Sequence, residues 1–305
     1  MVNYIIRRIL WAMPVLLVIS LITFSLGHII PGGPFDSEKP LPKEIIANLE
    51  AYYGLDDPLW KQYTDYLWNA LHGDLGPSYS SRSRTVNDII SAHFPISAQL
   101  GVLALIIAMA VGIPLGMVSA LKQNSYIDYF CMFFALLGVS VPAMTLGPVL
   151  VWFFALKLNI LPVARWGTWQ QAILPAFTLG IGSAALLARL TRASMLQVIR
   201  EDYIRTARSK GVSEKNVTIH HALKNALIPV VTVIGPLFAA LVTGSLIVEQ
   251  IFAIPGCGKY FITSVTNRDY PVILGIMLLY AFLIIVANLV VDLTYAWIDP
   301  RIKYT

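Results

Sequence analysis

Charged residues are scarce in this chain of 305 residues: Asp, Glu, Lys and Arg make up 13% of it, where about 25% is usual for a soluble domain. Hydrophobic residues make up 57%, against roughly 45–50% in soluble domains. The two cysteines, Cys131 in an apolar block and Cys257 in a predicted loop, do not form a disulfide framework, and we interpret both as structural. This composition excludes a secreted disulfide scaffold, a disordered chain and a fibrous protein.

The sequence also lacks the common signatures of catalysis and nucleotide binding. Residues 255–259 resemble the end of a phosphate-binding loop, but Ala253 and Tyr260 occupy the positions that require Gly and Ser or Thr. The segment Gly138–Pro142 lacks the final Gly of a serine hydrolase elbow. The adjacent pair His220–His221 would diverge by about 100° on a helix, and the other histidines are scattered. We therefore predict no catalytic residue, no metal site and no bound cofactor in this chain.

Apolar residues fall in six long blocks, each reaching the roughly 18 residues that mark a bilayer-spanning helix. We predict an all-α polytopic membrane protein with six transmembrane helices. The first block has about 22 residues and no small-residue cleavage site behind it, so we interpret it as an uncleaved span rather than a signal peptide. The six blocks cover residues 9–30, 97–121, 129–156, 172–190, 226–254 and 271–298.

Basic residues near the ends of the blocks indicate the orientation. The net charge of +5 would suggest a nucleic-acid partner in a soluble protein, but eight Lys and Arg residues lie between Arg189 and Lys224. Arg7, Lys122 and Arg301 fall on the same side of the predicted membrane. Because loops rich in Lys and Arg stay in the cytoplasm, we predict a multi-pass protein of the bacterial inner membrane with both termini cytoplasmic.

The blocks divide the chain into four predicted parts. Residues 1–30 are the cytoplasmic tip and the first transmembrane helix, and residues 31–96 are an extracytoplasmic, periplasmic segment. Residues 97–298 are a core of five helices that contains a cytoplasmic loop at 193–225, and residues 299–305 are a cytoplasmic tail.

The extracytoplasmic segment contains two stretches with helical apolar spacing, at 43–53 and 58–72. Trp60 and Trp68 in the second stretch can lie at the level of the lipid headgroups. The pattern is compatible both with a cap packed on the spans and with a docking surface for an external partner, and it does not separate the two.

Few ionisable residues lie within the blocks, and these are functional candidates by default. They are Glu249 near the outer end of the fifth block and Asp292 in the sixth, with Asn288 one turn before Asp292 on the same face. We interpret Asn288 and Asp292 as polar contacts between helices. Gly112 and Gly116 are spaced for close helix packing.

The basic loop contains signals for helix ends and helix starts in a regular order. It begins with the sequence EDYIRTARSKG at residues 201–211. This pattern predicts a short basic helix, a positive φ at Gly211, a new helix cap at Ser213 and a proline, Pro229, entering the fifth span. Such an elbow would project a rigid knob from the membrane.

The same loop resembles that of the permease subunits of ATP-binding-cassette importers of the dipeptide/oligopeptide class, whose pattern is E-A-A-x-x-x-G followed by L-P. Arg205–Ala207 occupy the three opening positions, Gly211 occupies the glycine position, and Leu223–Lys224 stand where L-P would be. The changes from Glu to Arg and from Pro to Lys are typical of the peptide class and weaken a match to sugar or amino-acid permeases.

Further landmarks extend the resemblance over the whole chain and match the first, B-type, subunit of the two permeases that pair in these systems. The outer segment looks most like that of oligopeptide permeases. The landmarks are residues 4–8, 31–35, 41–44, 53–58, 73–78, 254–259, 267–271 and 299–304.

The resemblance implies a type I ABC importer fold and a pore subunit that is not itself an enzyme. ATP would be bound by cytoplasmic partner ATPases, in two copies or of two kinds. A second homologous permease, an extracytoplasmic peptide-binding protein and membrane lipid are the other implied partners, and no nucleic acid is expected. Oligopeptides are the expected substrate. Dipeptide, murein peptide, glutathione and nickel importers share most landmarks, and an ion-coupled secondary transporter is the more remote alternative.

The resemblance also implies roles for individual residues. Residues of the basic loop would couple the permease to the ATPase: Ala207 through close approach, Gly211 through the bend, and the arginines through acidic or carbonyl groups of the ATPase. Trp60 and Arg268 would help to receive the external binding protein. The loop residues implied in coupling are Arg205, Thr206, Ala207, Arg208, Gly211 and Ser213.

Overall fold

The structure is a computed structural model that describes residues 2–29, 33–35, 42–81 and 83–298. The predicted tail at 299–305 lies outside the described residues. So do parts of the landmarks at 31–35 and 41–44. The fold is therefore reported for the described residues alone.

The described part of the chain is built from helices joined by turns. Two of the helical segments have π geometry, at Val151–Lys157 and Val217–Leu223. The α-helices are α1 (Val2–Ile29), α2 (Lys43–Tyr53), α3 (Leu59–Leu71), α4 (Val86–Leu121), α5 (Tyr126–Ser140), α6 (Ala143–Leu150), α7 (Trp169–Val198), α8 (Asp202–Ser209), α9 (Glu214–Asn216), α10 (Lys224–Ala226), α11 (Ile228–Thr243), α12 (Leu246–Ile251), α13 (Cys257–Thr266) and α14 (Tyr270–Ile298).

Five segments are long and apolar enough to cross a membrane, and they confirm five of the six predicted blocks. α4 begins at Val86, well before the predicted start at residue 97. The reason is a polar helix start that hydropathy does not detect: Thr85 Oγ1 accepts from the Asp88 N–H at 3.1 Å, and Asp88 Oδ2 accepts from the Thr85 N–H at 2.9 Å. The five segments are Ile6–Ile29, Val86–Leu121, Trp169–Val198, Ile228–Ile251 and Tyr270–Leu293.

The third block, predicted at 129–156, is a pair of helices that meet at a sharp bend rather than one straight helix. Its first part ends at Ser140, its second begins at Ala143, and the two meet at an angle of 104°. Pro142 has no N–H with which to continue the helical hydrogen bonds, and Val141 before it is extended, with φ −93° and ψ 114°. The described residues therefore contain five candidate spans and one pair of helices bent at a break.

Helices α4 and α7 pack with their backbones in close approach. A Cβ atom at Gly112 would collide with the carbonyl oxygen of Ala184, and one at Gly116 would collide with that of Ala188. Gly180 of α7 approaches the backbone of α4 just as closely. The predicted close packing at Gly112 and Gly116 is confirmed, and it brings the two helices together through small residues.

The described chain divides into two compact units. One comprises the described residues between 2 and 96 together with residues 256–285, and the other comprises residues 97–255 and 286–298. Cys131 in the second unit and Cys257 in the first are both buried, as their interpretation as structural residues requires.

Glu249 is a fully buried acid of the second unit. It lies in α12, after a break in the predicted fifth span at Gly244 and Ser245, and its side chain is 0% exposed. The hydroxyl groups of Ser97 and Ser245 donate to Glu249 Oε1 at 2.7 and 2.6 Å. These bonds join the start of the core part of α4 to α12 and give Glu249 a structural role.

Candidate functional site

The basic loop forms a folded elbow, which we define as residues 199–227. After α7 the chain turns into α8, reverses at Gly211, and returns through α9, the π-helical segment Val217–Leu223 and α10 to α11. Pro229 lies in the first turn of α11, where its missing N–H costs no helical hydrogen bond. The predicted short helix and the proline that enters the fifth span are therefore confirmed.

The elbow has a small apolar core of its own. Ile204 is 0% exposed and Ala207 is 7% exposed on the inner face of α8. Ala207 packs against the elbow's own helices, and its close approach to an ATPase stays a prediction. The core is completed by Ala120, Met195, Val217, Ala222 and Ala226. Packing of this kind holds α8 in a fixed position on the ends of α4 and α7.

Gly211 ends α8 in a Schellman motif. Its φ is +76°, as predicted, and its N–H donates to the Arg208 carbonyl at 2.9 Å. The Val212 N–H donates to the Ala207 carbonyl at 3.3 Å. Both bonds are those of the motif, which requires a left-handed residue after the helix. Apart from the neighbouring residues in the chain, no heavy atom of the described residues lies within 4 Å of the position that a Cβ on Gly211 would occupy.

A charged pair closes the turn around Gly211. Arg208 Nε and Nη2 donate to the two carboxylate oxygens of Glu214 at 2.9 and 3.4 Å. Ser213 occupies the N-cap position of α9, as predicted, but its side chain makes no capping hydrogen bond. Arg208 is thus engaged inside the elbow and braces α8 against α9.

The outer face of α8 is polar, basic and exposed. The Arg205 side chain is 75% exposed and lies 3.9 Å from Asp202, while the Thr206 hydroxyl donates to the Asp202 carbonyl at 3.0 Å. Tyr203 accepts a hydrogen bond of 2.7 Å from Asn225 Nδ2, which ties the start of α8 to α10. The elbow therefore presents a rigid, basic surface centred on Arg205.

The structure also contains a buried ion pair near the elbow that the sequence pattern did not predict. Arg192 of α7 donates from Nε and Nη2 to Asp128 of α5 at 2.8 and 2.7 Å. The Ser119 hydroxyl also donates to Asp128, and the Asn124 N–H donates to it at 3.0 Å. Asp128 is 2% exposed. The cluster links α4, α5 and α7 at the ends that carry the elbow, and a Ser cap followed by Asp in the first turn of α5 was its local signal.

The predicted docking residues lie in the first unit. Trp60 is 70% exposed on α3. Arg268 has a φ of +55° and donates from Nη1 to the Gly33 carbonyl at 3.3 Å. The next residue, Asp269, is buried and accepts from the Ser78 hydroxyl at 2.5 Å. Two landmarks of the sequence, at 73–78 and 267–271, therefore meet in space.

The predicted polar pair of the last span occupies one face of α14. Asn288 and Asp292 are both partly buried. Their role in contacts between helices stays a prediction.

Comparisons with known proteins agree with this architecture over the whole chain. Residues 112–304 match the family of binding-protein-dependent transport system inner membrane components, and residues 1–101 match the family model for the N-terminal part of such components. The dipeptide transport system permease protein DppB of Bacillus subtilis is 46% identical over 99% of this chain and 98% of its own length. The oligopeptide transport system permease protein OppB is 43% identical in Salmonella typhimurium and 42% identical in Escherichia coli K12, over the full length of both chains.

Solved structures share the fold at low sequence identity. An inward-facing structure of the MetNI methionine ABC transporter contains a chain that matches with a TM-score of 0.57 at 15% identity, over 69% of this chain and 96% of its own. An amino acid ABC transporter matches with a TM-score of 0.51 at 18% identity, over 70% of this chain and 94% of its own. The fold is thus that of type I ABC importer permeases. By its family matches and its full-length relatives, the chain belongs to the inner membrane components of binding-protein-dependent transport systems.

Proposed function

We propose that this chain is a permease subunit of an ATP-binding-cassette importer that moves oligopeptides into the cell. The observation that carries the proposal is identity of 42–46% to oligopeptide and dipeptide permeases over essentially the whole chain. The rigid, exposed elbow adds physical support, because a pore without an energy source of its own needs a surface through which a motor can act.

The elbow is the proposed contact with the ATPase. Arg205 and Thr206 present the exposed face, Gly211 sets the bend, and the Arg208–Glu214 pair keeps α8 and α9 together. Binding of ATP closes a pair of ATPase subunits. The rigid elbow then transmits this movement to α7 and α11 as a rigid-body shift. The chain binds no cofactor in this mechanism, since ATP is held by the partners.

The surroundings of the pore follow from the same proposal. The elbow and both termini face the cytoplasm, in line with the concentration of Lys and Arg in the elbow. A second permease completes the pore. ATPases, in two copies or of two kinds, act from the cytoplasmic side, and an external binding protein delivers the substrate. Trp60 and Arg268 belong to the surface that receives this binding protein.

Uptake of labelled peptides of graded length tests the function. Cells that lack their own peptide importers are complemented with this chain and its partner subunits. We expect ATP-dependent uptake of peptides longer than two residues. Uptake of dipeptides alone would place the chain with the dipeptide importers, which DppB as a full-length relative also supports. Uptake that continues without ATP hydrolysis would favour a secondary transporter and contradict the proposal.

A further inference from the structure

An aromatic pocket of about 180 Å³ lies within the first compact unit, where α1 ends and α14 begins. Its wall contains a continuous arc of rings. Tyr53 and Tyr79 lie 4.8 Å apart between ring centroids, Tyr79 and Tyr270 6.3 Å, Tyr270 and His28 5.0 Å, and His28 and Phe24 4.2 Å. Faces of tyrosine and phenylalanine rings carry negative charge density and attract cations.

Two buried polar atoms of the pocket lining have no hydrogen-bond partner among the described residues. They are Nε2 of His28 and the hydroxyl oxygen of Tyr66. His28 Nδ1 lies 2.8 Å from the Phe24 carbonyl oxygen, which can only accept, so Nδ1 carries the hydrogen and Nε2 of the neutral ring is an acceptor. Buried polar atoms are normally satisfied, and these two can be satisfied by a ligand that donates hydrogen bonds.

The charge of the lining favours a positive ligand. Asp57 and Asp65 both line the pocket. Lys61 pairs with Asp57 at 2.9 Å, so one of the two carboxylates is offset and Asp65 leaves the rim negative. The pocket thus combines aromatic rings, a buried acceptor, a hydroxyl group and a carboxylate. This combination matches a small cation with several N–H donors.

We propose that this pocket binds a primary ammonium group. Such a group has three donors and a positive charge on a compact head, and two sources supply it at this place. One is the N-terminal amine of a short peptide, and this source rests on the proposed function. The other is the ethanolamine headgroup of a lipid, because the pocket lies at the ends of two spans, where headgroups are found.

Binding is measured on the purified full-length chain, together with the subunits that co-purify, in the absence of ATP. The probes are trialanine with a free amine and N-acetyl-trialanine, each in detergent. Nanodiscs of phosphatidylethanolamine are compared with nanodiscs of phosphatidylcholine that carry the same acyl chains. The readout is the ligand-dependent rise in Tm. This measurement does not involve transport, so the binding and uptake experiments have independent outcomes. A pocket that does not bind the probes would not contradict the proposed transport function, and failed uptake would not contradict binding at the pocket.

We expect at least about tenfold tighter binding of one ammonium probe than of its blocked counterpart. Free trialanine as the responding probe assigns the pocket to peptide, and phosphatidylethanolamine assigns it to lipid. Tyr66→Phe and Asp65→Asn should each abolish the preference, and Asp65→Asn, an exposed change, keeps the test valid if Tyr66→Phe folds poorly. Tyr52→Phe, 80% exposed and outside the pocket, should behave as wild type. Equal responses to free and blocked probes, or a preference that survives both variants, would overturn the proposal.

Discussion

Arg192 and Asp128 form a two-pronged ion pair, 2.8 and 2.7 Å between their donor and acceptor atoms, in which the carboxylate is 2% exposed. Arg192 lies on α7 two turns before the elbow, and Asp128 lies in the first turn of α5, the first half of the bent pair. The pair therefore ties α5 to the part of α7 that leads into the elbow. The pair gives the bent segment a mechanical connection to the proposed motor contact.

Removing one partner of this pair should destabilise the second unit. Asp128→Asn leaves the Arg192 guanidinium without its carboxylate, and loss of one partner of a buried pair costs about 3–5 kcal/mol. The lower end applies here, because the Arg192 side chain is 28% exposed. The measurement is thermal unfolding of the purified protein in detergent. Arg192→Lys keeps the charge but loses the two parallel hydrogen bonds of the guanidinium group, so it should give an intermediate Tm. An unchanged Tm in both variants would contradict this role.

Function should be more sensitive to this pair than to an exposed one. At equal membrane levels, Arg192→Lys should lower peptide uptake per ATP hydrolysed, since α5 no longer follows α7. The matched control is Lys157→Gln, which removes the exposed cation–π pair with Trp152 and should leave this ratio as in wild type. A ratio that falls equally in both variants would show that the effect is not specific to the buried pair.

Substitution of Gly211 should disturb the elbow through its backbone. The φ of Gly211 is +76°, and apart from its chain neighbours no heavy atom of the described residues lies within 4 Å of the Cβ position. The cost of Gly211→Val therefore comes from conformation rather than from a clash. A left-handed conformation costs an ordinary residue roughly 1–2 kcal/mol, and a branched side chain is tolerated least. We expect normal insertion with strongly reduced uptake by Gly211→Val.

Asparagine provides the control at the same position, because it accepts the left-handed conformation. Gly211→Asn should therefore retain most of the uptake of wild type. If Asn and Val impair uptake to the same degree, the side chain itself obstructs the partner surface and the backbone argument is wrong.

Close packing of α4 on α7 predicts a difference between two glycine substitutions. In Gly116→Ala the new methyl group meets the Ala188 carbonyl oxygen and Thr191 Cβ, so the helices must separate, at about 1–3 kcal/mol. In Gly182→Ala the nearest atom is the Gly138 carbonyl oxygen at 3.5 Å, an ordinary contact. The Tm should fall for Gly116→Ala and stay level or rise for Gly182→Ala. A fall of equal size in both would refute the packing argument.

Sequence patterns predict the features of this molecule that depend on residues close together in the chain. The apolar blocks and Gly211 follow from hydropathy and from the geometry of a helix end, and both are confirmed. The break at Pro142 was missed because hydropathy averages over it, although Pro142 itself was a visible signal. Contacts such as Arg192–Asp128 join residues far apart in the chain, and no spacing rule relates them.

Alkaline pH should weaken the first unit through Tyr79. Burial, with a smaller effect of Asp269, raises the pKa of the Tyr79 hydroxyl well above its usual value. The folded state thus holds the proton more tightly than the unfolded state, so the contribution of Tyr79 to stability is complete below about pH 10 and declines above it. Unfolding measured from pH 8 to 11 should show this decline, and Tyr79→Phe should reduce its slope. An identical slope in the two proteins would refute the assignment.

Asp269 should decide whether the turn at residues 78–81 stays attached to the start of α14. Its carboxylate accepts from the Ser78 hydroxyl at 2.5 Å and from the N–H groups of Tyr79 and Ser80 at 3.1 Å. Asp269→Asn replaces one acceptor oxygen by a donor, so one of these groups loses its bond, at about 1–3 kcal/mol for a bond to a charged group. Amide hydrogen exchange should then accelerate at residues 78–81 and remain slow in the elbow, which belongs to the other unit. Because Asp269→Glu keeps the charge but lengthens the side chain, it should fall between wild type and Asp269→Asn. Unchanged exchange at residues 78–81 in Asp269→Asn would mean that other contacts hold the turn.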